Sequence, residues 1–205
     1  MPIIFPEIAA LFGVPQPEKW HPEIDSGVHT MMVLEQASRL TEDPVVRFAA
    51  LVHDLGKGTT PPDEWPRHVA HEQRSVPLIE KLCARLRIPN QFRDLGVLVG
   101  RHHLVMHKAD EVKATTLLDL LEHLDAFRRP TRVEQFILAC EADARGRKGL
   151  ENRLYPQADR VRKAFAAAKS VVLTDEAREG LTGEQIAARM HQERAGAIKR
   201  ALASE

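Results

Sequence analysis

One short stretch, FAALVHDLGKG over residues 48–58, constrains the fold and chemistry of this chain more than any other. Its pattern predicts an apolar helix that ends at His53-Asp54 and breaks at the following Gly-Lys-Gly. An ionisable pair at the end of so apolar a helix is costly to bury unless it is paired or bound to a metal ion. The imidazole and the carboxylate are therefore candidate metal ligands, and Lys57 can reach a phosphate held on that metal.

Helical patterns fill most of the remaining chain. Apolar residues recur at helical spacing over residues 25–40, 44–55, 68–87, 89–103, 115–127, 131–143, 156–172 and from 182 almost to the C-terminus. Asp43-Pro44 offers an N-cap followed by a proline at the first helical position, and Thr182 with Gln185 is spaced as a capping box. Pro77 is expected to kink or restart its helix. No convincing alternating strand pattern occurs, so the sequence predicts an all-α fold.

Three sections are expected along the chain. Residues 1–22 set five prolines among short apolar pieces, which predicts a linker or surface-hugging arm over residues 1–24. A helical domain is expected over residues 25–150 and a C-terminal helical extension over residues 151–205. A length of 205 residues is sufficient to bury a hydrophobic core.

Charge and cysteine usage narrow the possible partners and compartment. Lys+Arg and Asp+Glu both number 29, so no global positive field attracts nucleic acid, and any RNA contact must come from a local basic patch. Cys83 and Cys140 lie in apolar helical patterns and are predicted to be inert buried thiols, which fits a reducing cytoplasm. No signal peptide and no apolar run long enough to span a bilayer is found, so no membrane partner is expected.

The histidine content is the most unusual feature of the composition. The chain has ten histidines, and all but His191 lie between His21 and His123. A lone histidine in a helix is more often exposed or hydrogen-bonded than bound to a metal. This ordinary interpretation is preferred for five of the ten, namely His21, His68, His102, His123 and His191.

A recognisable signature connects three of the predicted helices. It has a first histidine on one helix, here His29, an apolar-HD-apolar-GK run on a second, here LVHDLGK over residues 51–57, and a final acid on a later helix, here Asp143. This pattern resembles the HD superfamily of metal-dependent phosphohydrolases. The resemblance implies an HD-domain helical bundle in which His29, His53, Asp54 and Asp143 bind one divalent metal ion.

A closer resemblance covers the chain up to about residue 172. It is carried by LFGVPQPEKWHPEIDSGVHT (residues 11–30), RFAALVHDLGKGTTPPDEWPRH (47–68), RVEQFILACEADARGR (132–147) and LYPQADRVRKAF (154–165). These segments are similar to the C-terminal HD region of bacterial tRNA nucleotidyltransferase, the CCA-adding enzyme. The Gly-Ser start and paired carboxylates of the nucleotidyltransferase head are not found in the sequence. We therefore expect either an excised C-terminal part of a longer enzyme or a free-standing relative that cannot add CCA by itself.

The implied ligand set has a definite chemistry. Two imidazoles and two carboxylates suit Ni, Co, Mn, Fe or Zn, and Mg less well. Four ligands leave positions open for water and substrate, and a bound metal lowers the pKa of its water so that hydroxide can attack phosphorus. Asp54 is expected to ligate the metal and to orient that water, and Lys57 to offset charge on phosphate oxygens. Arg145 and Arg147 are candidates for phosphate or RNA contacts, with a solvated helix end as the alternative.

Three further histidines form a second group of candidates. His71 and His103 match positions where the CCA-enzyme region usually has histidine, and His107 follows in a predicted polar loop. The family often has glycine on either side of the first of these, whereas this chain has Ala70 and Glu72. A second metal ion is one interpretation, but contact with the phosphate, or proton donation to a leaving oxygen, is preferred for His71 and His103.

The leading functional hypothesis is a metal-dependent phosphohydrolase. The resemblance implies 2′,3′-cyclic phosphodiesterase activity with 2′-nucleotidase and phosphatase activity, on a nucleotide or an RNA-end phosphate, linked to tRNA 3′-end processing or repair. One alternative is a non-catalytic module that binds tRNA or dimerises a CCA-adding enzyme. Another is a nucleotidase or nucleoside-triphosphate hydrolase of the wider superfamily. A homodimer is left open.

Overall fold

The computed structural model describes residues 4–203, and over this range the regular structure is helical. The α-helices are α1 (Pro6–Ala9), α2 (Ser26–Leu40), α3 (Pro44–Val52), α4 (His71–Leu86), α5 (Asn90–His107), α6 (Ala114–His123), α7 (Thr131–Arg145), α8 (Pro156–Lys169), α9 (Asp175–Arg178) and α10 (Gly183–Leu202). Two 3₁₀ helices cover Leu55–Thr59 and Pro62–Glu64. The described residues form no strand, only an isolated antiparallel bridge between Pro15 and Asp25. The predicted all-α fold is confirmed.

The chain divides into two compact units. The first takes in the chain up to His107 together with Gln135–Tyr155, and the second takes in Lys108–Glu134 together with the chain from Pro156 onward. The predicted boundaries after residues 24 and 150 stay a prediction. No described helix is both long enough and apolar enough to cross a membrane.

Helix α3 is central to the first unit, where it packs against α2 and α5. The Asp43 side chain caps its start by accepting a hydrogen bond from the Val45 amide at 2.8 Å. Its buried residues are small or β-branched, so neighbouring helices approach closely: Val45, Val46, Ala49, Ala50 and Val52. The helix ends at Val52, and the chain continues into the 3₁₀ helix that contains Lys57.

Glycines set two close approaches that position site residues. A Cβ at Gly100 would lie 2.9 Å from the Ile79 side chain and 3.4 Å from the His53 carbonyl oxygen, so α5 needs glycine there to lie against the end of α3. A Cβ at Gly146 would collide with the backbone and side chain of Val33 on α2. The end of α7 can therefore approach α2 closely, which brings Asp143 near His29.

The N-terminal segment contributes to the core of the first unit. Leu11 is fully buried, and with Ile8 it joins an apolar cluster that includes Val52, Leu55 and Ile79. This part of the predicted arm is therefore packed against the helices. The packing explains why a segment rich in proline is nevertheless ordered.

Three local predictions need correction. Helix α4 is continuous through Pro77, so the helix does not restart there, and a kink at the proline stays a prediction. The same helix begins at His71 rather than His68, since His68 and Ala70 adopt left-handed backbone conformations (φ 49° and 56°). Helix α5 continues to His107, which was expected in a loop.

In the second unit, helices α6, α8 and α10 pack against one another. The Phe127 and Phe165 rings lie 6.2 Å apart, and the Arg194 guanidinium lies 3.6 Å above the Phe127 ring. The predicted capping box at the start of α10 is present, with reciprocal hydrogen bonds between Thr182 and Gln185. These contacts stabilise a small helical unit that contains none of the predicted site residues.

Candidate metal centre

The predicted metal ligands come from three separate points of the first unit. His29 lies in the first turn of α2, His53 and Asp54 follow the last residue of α3, and Asp143 lies in the last turn of α7. All four side chains are buried, with at most 3% of each residue exposed. The four residues span more than a hundred positions of sequence, yet each lies at or next to a helix end, and these ends meet at one interior point.

Interatomic distances show that the four side chains converge. His29 Nε2 lies 3.1 Å from Asp143 Oδ1, and His53 Nε2 lies 3.2 Å from Asp54 Oδ2 and 3.7 Å from Asp143 Oδ2. The structure therefore brings the four side chains together, and their role as metal ligands stays a prediction.

Backbone carbonyls orient each of the buried imidazoles. The Nδ1 atoms of His29, His53, His71 and His103 lie 3.0, 2.7, 3.0 and 3.0 Å from the carbonyl oxygens of Gly146, Ala50, His68 and Val99, respectively. A carbonyl oxygen can only accept a hydrogen bond, so each Nδ1 carries the hydrogen. Each neutral ring consequently presents the electron pair of Nε2, which is the atom a metal ion needs.

Donor atoms form two adjacent sets. The ligand atoms of His29, His53 and Asp143 lie within 4.8 Å of one another, and those of Asp54, His71 and His103 do the same. His71 Nε2 is 3.2 Å from Asp54 Oδ1 and 3.4 Å from His103 Nε2. The structure thus brings His71 and His103 beside Asp54, and their predicted role towards phosphate stays a prediction.

The donor atoms are arranged to contact a cation rather than to form hydrogen bonds with one another. His53 Nε2 and Asp54 Oδ1 are buried and have no hydrogen-bond partner. Electron pairs of imidazole and carboxylate that face each other at 3–4 Å repel, and burying them unpaired is costly. A divalent ion placed among them would satisfy both atoms. The mixed nitrogen and oxygen set suits a first-row transition ion.

The pKa shifts of the site residues also indicate that the site favours a bound positive charge. Burial lowers the pKa of His53, but the charges of Asp54 and Asp143 outweigh burial and raise that pKa overall. Burial raises the pKa of Asp54 and Asp143, yet neighbouring cationic groups hold both carboxyl pKa values well below their usual range. His103 responds mainly to burial, which lowers its pKa to about 3. These pKa shifts share one cause, the two buried carboxylates, whose negative charge a bound cation would offset.

Lys57 is buried beside the predicted ligands. Its Nζ lies 2.5 Å from Asp54 Oδ2 and donates a hydrogen bond to Gln16 Oε1 at 2.6 Å. The 3₁₀ helix that follows Asp54 directs the lysine back over the carboxylate. The arrangement brings a cation to the place where the sequence predicted one, and its role towards phosphate stays a prediction.

Glu23 and His21 belong to the site although the sequence did not predict them there. Glu23 Oε1 lies 2.9 Å from His29 Nδ1 and 3.0 Å from His21 Nδ1. Burial raises the pKa of Glu23, but hydrogen bonds from both histidines outweigh it and lower that pKa. Burial lowers the pKa of His21 to about 4. Glu23 is therefore an anionic acceptor that fixes the orientation of His29.

A third missed residue, Tyr155, supports the far side of the site. His107 Nε2 lies 2.6 Å from Asp143 Oδ2, and its Nδ1 lies 2.9 Å from the Tyr155 hydroxyl. Tyr155 is buried, with 7% of its surface exposed. The tyrosine holds His107, which in turn donates a hydrogen bond to one oxygen of the predicted metal ligand Asp143.

The two predicted arginine contacts differ in their surroundings. Arg147 reaches towards the site, with a terminal nitrogen 3.7 Å from Asp143 Oδ1. Arg145 instead pairs with Glu141 at 2.7 Å. The Nε atoms of both arginines are buried and lack a hydrogen-bond partner.

Other predicted positions have ordinary surroundings. His68 is held between the Thr60 hydroxyl and the Pro15 carbonyl at 2.9 and 2.7 Å, and His191 lies 3.2 Å from Glu122. Glu72 Oε2 is 3.5 Å from His71 Nδ1 and points away from the ligand atom of that ring. Both cysteines are buried and unpaired, as expected.

A closed loop carries Glu23 and His21, two of the site residues that were missed. Asp25 accepts hydrogen bonds from the amides of Gly13 at 2.6 Å and Val28 at 2.8 Å, so one side chain closes the loop and caps α2. This loop, Gly13–Asp25, contains Gln16 and Glu23. The sequence did contain a signal for these residues. The segment 11–30 that resembles the CCA-adding enzyme extends well beyond His29, the one predicted ligand in it.

Comparison with known proteins agrees with this geometry. Residues 27–144 match the HD domain family, so the chain belongs to the HD domain family of metal-dependent phosphohydrolases. The match includes all four predicted metal ligands.

Several curated relatives are similar over almost the whole chain. The chain is 56% identical to the Multifunctional CCA protein of Nitrosococcus oceani, over 98% of this chain and 50% of the relative. It is 58% identical to that of Thioalkalivibrio sulfidiphilus, over 96% and 48%, and 52% identical to one from Vibrio cholerae, over 96% and 49%. The chain spans about half the length of the curated relatives it matches. The resemblance to CCA-adding enzymes is confirmed, and no solved structure gives a significant match.

Proposed function

We propose that this chain hydrolyses phosphate esters, with 2′,3′-cyclic nucleotide phosphates as its main substrates and 2′-nucleotidase and phosphatase activity beside them. The observation that carries the proposal is the convergence of His29 Nε2, His53 Nε2, Asp54 and Asp143 at one buried point. The orientation of both imidazoles by backbone carbonyls supports it, because the electron pairs are held ready for a cation.

The four ligands would hold a divalent ion such as Ni, Co, Mn or Mg. When bound, such an ion supplies a Lewis acid that activates water for attack on phosphorus. Asp54 orients that water through the carboxylate oxygen that has no hydrogen-bond partner. Lys57, fixed by Asp54 and Gln16, offsets negative charge that develops on the phosphate oxygens. Arg147 adds a second positive charge beside Asp143.

His71 and His103 contribute electron pairs in this proposal. Both carry their hydrogen on Nδ1, and burial lowers the pKa of His103 to about 3. His103 is therefore neutral at physiological pH, with Nε2 free to accept or ligate. A second cation held with Asp54 fits these two histidines better than proton donation to a leaving oxygen does.

The physiological substrate we propose is an RNA end. The Multifunctional CCA proteins are relatives over half their length, and by analogy this chain would act in tRNA 3′-end processing or repair. Its two buried free cysteines agree with a reducing compartment such as the cytoplasm.

A direct assay tests the hydrolase proposal. The protein is incubated with 2′,3′-cyclic AMP in EDTA, then with Ni²⁺ or Co²⁺, alongside Asp54→Ala and the control Asp159→Ala, whose side chain is 86% exposed. We expect turnover that the metal restores and that Asp54→Ala loses by roughly a hundredfold or more, while the control is unaffected.

The same proteins test the binding-module alternative. Equal, feeble hydrolysis by wild type and Asp54→Ala would contradict the enzyme proposal. A tRNA gel shift at two salt concentrations then measures binding, which for phosphate contacts must weaken steeply as salt rises.

A further inference from the structure

Gln16 is held beside the candidate metal centre by the Gly13–Asp25 loop. Its backbone amide donates a hydrogen bond to the Ile24 carbonyl at 2.6 Å, which links the two ends of the loop. Only 2% of the residue is exposed. Its side-chain Oε1 accepts the hydrogen bond from Lys57 Nζ, and Lys57 contacts Asp54. Only the Lys57 side chain therefore links the Gln16 amide to the predicted metal ligand Asp54.

The other end of the same amide group has no partner. Gln16 Nε2 is buried and makes no hydrogen bond in the described part of the chain. The orientation of the amide is fixed, because an ammonium group can only donate and so must face the oxygen. Two N–H donors are thus left buried and unsatisfied, and native structures retain such groups only where something compensates for them.

We propose that Gln16 is a substrate-binding residue whose Nε2 donates a hydrogen bond to a phosphate oxygen of the bound ester, next to Lys57. This inference rests on the proposed hydrolase function. A phosphate presents several acceptor oxygens and few or no donors, so it complements an amide NH₂ group and an ammonium group side by side. Gln16 then has two separate tasks, since Oε1 positions Lys57 and Nε2 contacts substrate.

The two tasks can be separated by isosteric substitution. Gln16→Glu keeps an oxygen for Lys57 but replaces the NH₂ donor with a negatively charged acceptor. Gln16→Ala removes both groups. A Gln16→Glu variant that binds phosphate as the wild type does would show that Gln16 only positions Lys57. Weaker binding by Gln16→Glu is decided by the wild-type NH₂ signals measured below, because the added negative charge also repels phosphate. If Nε2 contacts the phosphate, both variants are impaired.

Isothermal titration calorimetry measures this with two probes. Zn²⁺ is titrated first, and inorganic phosphate is then titrated into the metal-loaded protein. The control is Gln91→Glu, which makes the same charge change at an exposed position. We expect Gln16→Glu to bind Zn²⁺ as the wild type does and phosphate at least tenfold more weakly, while Gln91→Glu matches the wild type in both.

NMR of the wild type gives a measurement that needs no folded Gln16→Glu variant. In the Zn²⁺-loaded protein, the Gln16 side-chain NH₂ signals are expected to shift, and their exchange with water to slow, when phosphate is added. Unchanged NH₂ signals, or Gln16→Glu protein that binds phosphate as tightly as wild type, would overturn the inference and leave the hydrolase proposal standing. Wild-type protein that binds neither Zn²⁺ nor phosphate would overturn both.

Discussion

His29 Nε2 and Asp143 Oδ1 lie 3.1 Å apart, although the two residues are 114 positions apart in the sequence. The Nδ1 atom of the same ring faces the Gly146 carbonyl and the Glu23 carboxylate, both acceptors. The ring hydrogen is therefore on Nδ1, and in the neutral ring Nε2 meets the carboxylate with an electron pair. These two electron-rich atoms repel each other, whereas a cation between them would attract both.

Glu23 is predicted to strengthen metal binding through His29. Glu23→Ala removes the anionic acceptor at 2.9 Å from His29 Nδ1, so the ring becomes freer to turn and less basic. We expect Ni²⁺ affinity, measured by calorimetry, to fall roughly 10- to 100-fold. Glu80→Ala, an exposed site on α4, serves as the control. Unchanged affinity in Glu23→Ala would show that the Gly146 carbonyl alone orients the imidazole.

Gly56 is predicted to be indispensable for the geometry after Asp54. A Cβ at this position would collide with the backbone carbonyl of His71 and lie 2.8 Å from the Ser75 backbone nitrogen, and neither atom can move without shifting α4. We expect Gly56→Ala to lower the free energy of unfolding by about 3 kcal/mol in urea denaturation. Gly58→Ala is the matched control, because its nearest atoms lie at 3.2–3.3 Å and a loss of about 1 kcal/mol is expected. Equal losses in the two variants would contradict this account.

The order and type of the helices could be predicted from local signals. Asp43 was a recognisable N-cap, and α3 begins directly after it. The start of α4 could not be predicted in this way. Left-handed conformations at His68 and Ala70 delay it, and residues other than glycine adopt that conformation too rarely for it to be predicted.

The site was predictable only as far as it lies on helices. His29, His53, Asp54 and Asp143 follow from a family pattern on regular elements. Gln16 and Glu23 lie instead on the Gly13–Asp25 loop, whose path depends on side-chain contacts such as the Asp25 carboxylate with the Gly13 amide. Contacts of this kind between distant residues leave no periodic pattern in the sequence. The proline content of residues 1–22 was the remaining signal, and it predicted a linker or arm.

The stability of the metal-free protein is predicted to depend on pH through His103. Its pKa is about 3 in the folded state and 6.5 as the reference value, so between these values the unfolded chain binds a proton that the folded chain does not. Stability is therefore lost as pH falls from 6.5 towards 3, at about 1.4 kcal/mol per pH unit for one proton. His53, whose pKa is raised, is protonated in both states at pH 4–6 and adds no slope there.

Denaturation in EDTA at several pH values between 4 and 6 tests this dependence. We expect the plot of unfolding free energy against pH to be less steep for His103→Gln than for wild type, by up to the slope of one proton. Parallel plots for the two proteins would mean that His103 is protonated in the folded state.

Tyr155 is predicted to act on the site only through His107. Tyr155→Phe leaves the His107 Nδ1 without its partner at 2.9 Å and should destabilise the fold by about 1 kcal/mol. A double-mutant cycle provides the control, since in a His107→Phe background the tyrosine substitution should cost much less. Additive effects would show that the hydroxyl and the imidazole are not coupled.

The position of the metal ion tests the central claim most directly. Crystals grown with Ni²⁺ and measured at its absorption edge should show an anomalous peak about 2.1 Å from the Nε2 atoms of His29 and His53 and from oxygens of Asp54 and Asp143. A further peak beside His71 and His103 would add a second ion to the same account. Crystals in which Ni²⁺ binds only surface histidines such as His191, and leaves these four side chains without a peak, would contradict it.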